Sequence, residues 1–196
     1  NNSGFYLESG ILNLDGRIIT TNGVSNTSTF SMATGAQAGT LLLGYNGNPF
    51  NLTTIGISTI ILNGTNATVN YDNAGAQTVA TKTYNNLILS GSGTKTFGAA
   101  TVITNNFSIV TGAIANLGTF SHNAGVLTLA GQGTVSGSWG STSSAATNKD
   151  NTYFAATTGM VNNSCVAPTI TAQPVALSIC ENTGGSFSVV TSASSP

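Results

Sequence analysis

Short apolar runs that partly alternate with polar residues, each closed by a glycine, recur along the first two thirds of the chain. Six stand out: Ile11–Gly16, Leu41–Gly44, Ile60–Gly64, Leu87–Gly91, Phe107–Gly112 and Leu127–Gly131. Successive closing glycines are about 19 to 28 residues apart, and periods of roughly 20 to 50 residues are typical of solenoids and related arrays. The uneven spacing indicates a degenerate repeat whose coils differ in loop length.

Further alternating pieces lie between these runs. They are Thr29–Met32, Ala67–Tyr71, Gln77–Ala80 and Thr101–Thr104. Each fits a short strand with one face inward, and no segment shows a sustained apolar period of 3.6 residues. We therefore predict an all-β chain, a parallel β-helix or β-solenoid, whose inward residues stack into ladders and include Phe30, Phe97, Phe107 and Phe120.

The repeating pattern ends near residue 135, and a segment rich in Ser, Thr and Ala follows. A solenoid needs its last coil covered, because an open sheet edge invites pairing with other chains. Trp139, Tyr153 and Phe154 supply large apolar side chains in this segment. We expect residues 1–163 to form the solenoid, with a C-terminal cap around residues 136–160.

The composition changes again after residue 163. Pro168 and Pro174 bound an extended stretch, and the strand patterns Val175–Cys180 and Ser186–Val190 follow it. This order is typical of the opening of a β-sandwich, which needs roughly 100 residues in all. We expect residues 164–196 to be a linker and the first strands of an incomplete immunoglobulin-like domain.

Charged residues form only 5% of the chain, and the formal net charge is −1. In a parallel in-register stack, each side chain lies about 4.8 Å from its counterparts above and below. Columns of like charge would repel at that distance, whereas columns of Asn, Ser and Thr can hydrogen-bond. The low charge gives no electrostatic reason to expect nucleic acid or an anionic membrane as partner, and no stretch approaches the roughly 20 apolar residues that span a bilayer.

The two cysteines, Cys165 and Cys180, lie close together in the sequence. In an extracellular protein they could form a disulfide with each other, or each could pair with a cysteine outside this segment. A metal site is the less favoured interpretation, because neither cysteine belongs to a Cys-x-x-Cys motif.

The acidic residues offer no recognisable catalytic set. They are Glu8, Asp15, Asp72, Asp150 and Glu181, scattered along the chain, whereas glycoside hydrolysis needs two carboxylates facing one substrate. The single histidine, His122, is expected on the surface or in a turn. We therefore expect no catalytic residue, no cofactor and no metal.

Two binding interpretations remain open beside this. Thr81–Thr83 and Thr94–Thr96 are Thr-x-Thr triplets that could belong to a flat ice-binding face, although Lys82 and Lys95 occupy their centres. Tyr45, Tyr71 and Tyr84 could bind carbohydrate if they are exposed, but packing or capping of turns is the favoured interpretation for each of them.

Three stretches carry a resemblance to a known group of proteins. They are Tyr84–Thr96, Trp139–Phe154 and the opening of the second module from Pro168 to Cys180. They resemble giant cell-surface adhesins of flavobacteria and related Bacteroidota, which include gliding-motility adhesins and join solenoid-like repeats to immunoglobulin-like domains. The resemblance implies an extracellular location at the bacterial surface and export by the type IX secretion system. It carries no catalytic residues with it.

The start, Asn1–Gly4, lacks the basic and apolar regions of a signal peptide, as expected for a mature portion or a fragment. We expect a non-catalytic adhesin segment that acts as a rigid spacer and adhesive surface, meeting external surfaces or polysaccharides and, during export, the type IX secretion and gliding machinery. The alternatives are a β-helix that binds or degrades polysaccharide and an ice-binding solenoid.

Overall fold

The computed structural model describes residues 4–19, 28–50, 57–165, 170–172, 185–186, 188 and 190–191. Within these ranges every regular element is a β-strand and no helix occurs, so no helix here is long and apolar enough to cross a membrane. The strands are β1 Gly4–Leu7, β2 Gly10–Asn13, β3 Ser28–Met32, β4 Gly39–Leu43, β5 Ile57–Ile61, β6 Thr68–Tyr71, β7 Gln77–Val79, β8 Thr83–Tyr84, β9 Asn86–Leu89, β10 Gly93–Phe97, β11 Val102–Ile109, β12 Ala113–Asn116, β13 Ser121–Leu129, β14 Gln132–Gly133, β15 Gly137–Gly140, β16 Asn148–Lys149, β17 Met160–Asn163, β18 Ile170–Ala172 and β19 Val190–Thr191. The all-β prediction is confirmed.

One sheet, called here the long sheet, runs through most of the described chain. Its main path is β2-β4-β6-β9-β11-β13-β17, and each neighbouring pair on that path is parallel. Thr40 pairs with Thr68, and Thr68 pairs with Asn86. From β2 to β13, each strand therefore lies on one that comes roughly 18 to 29 residues later in the chain.

Two shorter parallel sheets accompany the long sheet. The N-terminal side sheet has the order β1-β3-β5 and the central side sheet has the order β7-β10-β12. In the first, the rings of Phe5 and Phe30 stack with their centroids 5.6 Å apart. In the second, Ala115 also forms a parallel bridge with Phe154.

The interior of the long sheet consists of two in-register columns of apolar side chains. Alternation along each strand turns every second side chain inward. One column holds Leu41, Val69, Leu87, Phe107 and Leu127, and the other holds Leu43, Tyr71, Leu89, Ile109 and Leu129. Each of these ten side chains is at most 8% exposed. Phe30 and Phe97 are buried as predicted, whereas Phe120 is only half-buried.

Three of the six glycines that close the apolar runs, Gly44, Gly64 and Gly91, lie at corners where the chain stacks closely. A Cβ on Gly44 would come within 3.0 Å of the backbone nitrogen of Gly16, and a Cβ on Gly91 would come within 2.2 Å of the carbonyl oxygen of Asn73. Gly91 also has a φ of 71°, a conformation that only glycine adopts at little cost. These corners explain the closing glycine in those three runs.

The run Ile60–Gly64 differs from the other five. Ile60 and Ile61 belong to β5 in the N-terminal side sheet. The place between β4 and β9 in the long sheet is taken by β6, which the sequence analysis treated only as an intervening piece. The two patterns are hard to tell apart because both are short alternating runs, and only the neighbouring strands decide which sheet each one joins.

The parallel order ends beyond β17. β15 pairs with β17 in the antiparallel sense, and the two-residue β16 pairs with β15. Phe154 is buried, while Trp139 and Tyr153 are half-buried and pack against the core. Short edge strands are one way in which proteins protect a sheet edge; the cap around residues 136–160 stays a prediction.

Few residues after Cys165 are described. β18 and β19 pair in the antiparallel sense, with Ile170 opposite Thr191. The predicted strand Val175–Cys180 lies outside the described residues, so the predicted immunoglobulin-like start stays a prediction.

Candidate binding face

The outer face of the long sheet carries uncharged side chains in register, seven of them polar and three aliphatic in two columns. One outward column runs through Thr40, Thr68, Asn86, Asn106 and Val126, and a second runs through Leu42, Asn70, Ile88, Ser108 and Thr128. None of these ten side chains is charged. The face therefore offers hydrogen-bonding groups without an electrostatic field.

The strand alternation is interrupted at one level of the stack. Asn85 and Asn86 are consecutive half-buried residues, and so are Asn105 and Asn106 on the next strand, or rung, of the stack. The pairing of β11 with β13 shifts register between Ile103 and Asn106. A bend at each rung turns two neighbouring side chains outward there. This is the level at which the face is most polar.

The asparagines at the bend hydrogen-bond along the stack. The Nδ2 of Asn105 donates to the Oδ1 of Asn86 over 2.9 Å, and the Nδ2 of Asn86 donates to the Oδ1 of Asn85 over 3.0 Å. Asn85 in turn accepts from the backbone N–H of Asn66 at 3.2 Å. The amide groups are therefore held in fixed orientations by the rungs around them.

A shallow depression of about 290 Å³ lies at this level. Its lining residues are Asn86, Asn105, Asn106, Val126 and Thr128. On the next rung, Asn105 is followed in the stack by Gly125, where an added Cβ would meet the carbonyl oxygens of Thr104 and Asn105 at 2.8 and 2.7 Å. The close approach of these backbone carbonyls excludes a side chain at Gly125, so no third asparagine follows Asn105 in the stack.

The sequence analysis did not identify these asparagines as a site. The signal that could have found them is the pair Asn85-Asn86 before one apolar run and the pair Asn105-Asn106 before the next, 20 residues later. Because that spacing equals the register difference between β9 and β11, the two pairs had to stack.

The tyrosines proposed as carbohydrate contacts are not all available. Tyr71 and Tyr84 are completely buried and Tyr45 is half-buried. The hydroxyls of Tyr71 and Tyr84 lie 3.0 Å apart. Burial raises the pKa of Tyr71 to about 12 and raises that of Tyr84 well above its usual value. Both are packing residues, as the favoured interpretation held.

Lys95 has a position that the sequence did not reveal. Its side chain is completely buried, and its Nζ donates to the backbone carbonyls of Asn73 and Gly75 and to the Oε1 of Gln77, at 2.7, 2.9 and 2.7 Å. Burial lowers the pKa of Lys95 to about 8, opposed by the negative charge of Asp72. Lys95 therefore cannot take part in a flat Thr-x-Thr surface, since Thr94 and Thr96 lie on the other face of the strand.

His122 is also inside the protein, and its expected place on the surface or in a turn is wrong. Its Nδ1 accepts a hydrogen bond from the N–H of Thr101, and its Nε2 lies 3.2 Å from the carbonyl of Leu117. The ring also packs on Phe97 with the centroids 4.7 Å apart. Burial lowers the pKa of His122, and the bond to Leu117 opposes that shift. A single histidine can be buried because a neutral imidazole satisfies one donor and one acceptor.

Two of the described acidic residues, Glu8 and Asp150, accept hydrogen bonds in turns or loops. Glu8 accepts from the hydroxyl of Thr34 and the N–H of Gly35, which lowers its pKa, and Asp150 accepts from the N–H of Thr152. Glu181 lies outside the described residues. Within the described ranges, no three His, Cys, Asp or Glu side chains are grouped so that they could hold a metal ion.

Cys165 is half-buried and forms no disulfide with any described residue, and its N–H donates to the Oδ1 of Asn163. Cys180 lies outside the described residues. The disulfide between Cys165 and Cys180 therefore stays a prediction.

Fold and surface together define an all-β protein of stacked, mainly parallel strands with an uncharged hydrogen-bonding outer face. Comparisons with protein-family models, with curated proteins and with solved structures found no match to this chain.

Proposed function

We propose that the chain is a parallel β-helix with the start of an immunoglobulin-like domain behind it, and that it is a non-catalytic segment of a secreted bacterial cell-surface adhesin. It acts as a rigid spacer and as an adhesive surface towards external polysaccharides. The observation that supports this best is the in-register parallel run from β2 to β13, with its two buried columns.

The spacer role follows from the stacking. Every strand on the main path of the long sheet is hydrogen-bonded to the next, so bending the stack means breaking several backbone bonds at once. With about 4.8 Å between neighbouring strands, the seven strands from β2 to β17 span about 30 Å. A rod of this kind holds its outer face at a fixed distance from whatever carries it.

The adhesive role is supported by the neutral outer columns and by the resemblance to Bacteroidota surface adhesins. Extracellular location, type IX export and a place in gliding motility belong to the same proposal. Weak contacts repeated along many copies give strong attachment without a deep pocket, because each further contact forms at a high effective concentration.

Adhesion of coated beads tests this function. Beads carrying the purified chain are passed over agarose, cellulose and dextran films under flow, and the same polysaccharides are assayed for released reducing sugar. We expect retention on at least one film and no release of sugar. Beads carrying Leu87→Asp, which places a charge in a buried column, serve as the matched control and should not be retained. A folded wild-type chain that is never retained, or that releases sugar, contradicts the proposal.

A further inference from the structure

We infer that the depression lined by Asn86, Asn105, Asn106, Val126 and Thr128 is a binding site for one stretch of a neutral polysaccharide. The inference rests on the adhesive function proposed above and gives that function a site and a ligand class. Asn105, Asn106 and Thr128 are the residues that hydrogen-bond the ligand, and Asn86 supports them.

The hydrogen bonds that these side chains already make show which of their donors and acceptors are still available to a ligand. Asn86 is occupied: its Nδ2 donates to the carbonyl of Ala67 and to Asn85, and its Oδ1 accepts from Asn105. Asn106 accepts from the hydroxyl of Thr128 at its Oδ1, 2.9 Å away. Its Nδ2 makes no hydrogen bond with any described residue, and the same holds for the Oδ1 of Asn105. A donor and an acceptor from adjacent residues are therefore available together.

A pair of this kind matches sugar hydroxyl groups. Each hydroxyl is both a donor and an acceptor, so two hydroxyls on one ring can use the Nδ2 of Asn106 and the Oδ1 of Asn105 at the same time. Val126 adds an apolar contact for the C–H face of the ring. Because no lining side chain is charged, the site has nothing to compensate a carboxylate or sulfate, and a neutral polymer is favoured over an anionic one.

The hydrogen-bonded strands that hold the lining amides in place favour weak but specific binding. The amides lie on hydrogen-bonded strands and are themselves bonded to the neighbouring rungs, so little side-chain freedom is lost when a ligand binds. The volume of about 290 Å³ lies at the lower end of the range for small-molecule sites, roughly 300–1,000 Å³. It fits a short part of a polymer, and attachment then depends on many copies acting together.

Affinity electrophoresis tests the site. The chain is run through native gels that contain galactomannan, dextran, a soluble β-glucan or anionic alginate. Asn106→Leu removes the free donor, and Val126→Arg fills the depression while leaving the amide bonds in place. Thr96→Val, at an exposed position on the central side sheet, is the matched control. Thermal melts verify that each variant is folded.

We expect at least one neutral polymer to retard the wild type and the Thr96→Val variant equally. The apparent dissociation constant should be at least fivefold weaker for Asn106→Leu and for Val126→Arg. Equal retardation of wild type and both depression variants overturns the site, as does stronger retardation by alginate, or none by any neutral polymer.

The bead-adhesion assay distinguishes failure of the proposed binding site from failure of the proposed adhesive function. If wild-type beads are retained on a film and Asn106→Leu and Val126→Arg beads are retained equally, the site is wrong and the adhesive function stands. If folded wild-type beads are retained on no film, the function fails as well.

Discussion

The hydroxyl groups of Tyr71 and Tyr84 lie 3.0 Å apart in the interior and close a ring of hydrogen bonds with Ala80. Tyr84 donates its only hydroxyl proton to the carbonyl of Ala80 at 2.6 Å, so Tyr71 must be the donor between the two hydroxyls. The oxygen of Tyr71 in turn accepts from the N–H of Ala80 at 2.9 Å. The ring satisfies both backbone groups of a buried residue that lies just beyond the end of β7.

Removing one hydroxyl from this ring should be costly. Tyr84→Phe leaves the carbonyl of Ala80 without its donor and the hydroxyl proton of Tyr71 without its acceptor, and an unsatisfied buried polar group costs about 1–3 kcal/mol. We expect the free energy of unfolding, measured by urea titration, to fall by about 2 kcal/mol. Tyr45→Phe, at a half-buried tyrosine, should change it by less than about 0.5 kcal/mol. Equal effects of the two changes would contradict the ring.

Lys95 is expected to stabilise the turn between β6 and β7. Lys95→Met keeps most of the side-chain volume but removes the Nζ donor that bonds to the carbonyls of Asn73 and Gly75 and to the Oε1 of Gln77. The loss should be about 3 kcal/mol in the free energy of unfolding, as for other broken buried polar pairs. Lys82→Met, at a half-buried lysine, is the control, and chemical denaturation of both variants gives the comparison. A stability equal to wild type would show that these three acceptors need no lysine.

The burial of His122 predicts that the stability of the fold decreases as the pH falls. Its Nδ1 is an acceptor in the fold, so protonation breaks that bond, and burial lowers its pKa from 6.5. Below about pH 6.5 the unfolded chain takes up this proton more readily than the folded one. The stabilisation is therefore complete above that pH and is lost as the pH falls through the lowered folded pKa.

Thermal midpoints measured between pH 5 and 7.5 test this. The wild type should lose stability towards pH 5, whereas His122→Gln, which can keep one donor and one acceptor but does not titrate, should vary much less over the same range. The same slope in both proteins would assign the pH dependence to other groups.

Alanine substitutions at Gly91 and Gly131 distinguish the cost of backbone strain from the cost of a steric clash. Gly91 and Gly131 have φ values of 71° and 79°, but an added Cβ would meet the carbonyl of Asn73 at 2.2 Å in the first and nothing within 4 Å in the second. Gly131→Ala should cost about 1–2 kcal/mol from strain alone. Gly91→Ala should cost at least about 2 kcal/mol more, or prevent folding. Equal thermal midpoints would mean that the corner is not stacked.

The part of the fold that could be predicted comes from strict alternation. In Leu87–Leu89 and Phe107–Ile109, every second residue is large and apolar, and a period of two has one structural meaning. The closing glycine adds a positive-φ corner. These local signals were enough for an all-β chain and for Phe107 in the interior.

The features that could not be predicted from the sequence depend on which strands lie next to each other in the stack. Lys95 is inward because it pairs with Gln77 on the rung below and finds backbone carbonyls there, and nothing local to Lys95 indicates this. His122 is buried because Thr101 and Leu117 offer it one donor and one acceptor. The asparagine pairs are visible in the sequence, but their significance needs the register.

The most direct measurement of the central claim is disulfide formation between stacked positions. Ser108 and Thr128 lie opposite each other in the parallel pairing of β11 with β13, whereas Ile88 and Thr128 are two rungs apart. Cysteines at these pairs are introduced in a background with Cys165→Ser and Cys180→Ser. A disulfide needs the two Cα atoms within about 4.4–6.8 Å, and two rungs are about 9.6 Å.

Mild oxidation followed by peptide mapping then gives the answer. We expect Ser108→Cys/Thr128→Cys to form the intramolecular disulfide in high yield and Ile88→Cys/Thr128→Cys to stay reduced. Failure of the first pair in a folded protein, or equal oxidation of both pairs, would contradict the in-register stack on which the fold, the spacer and the binding face depend.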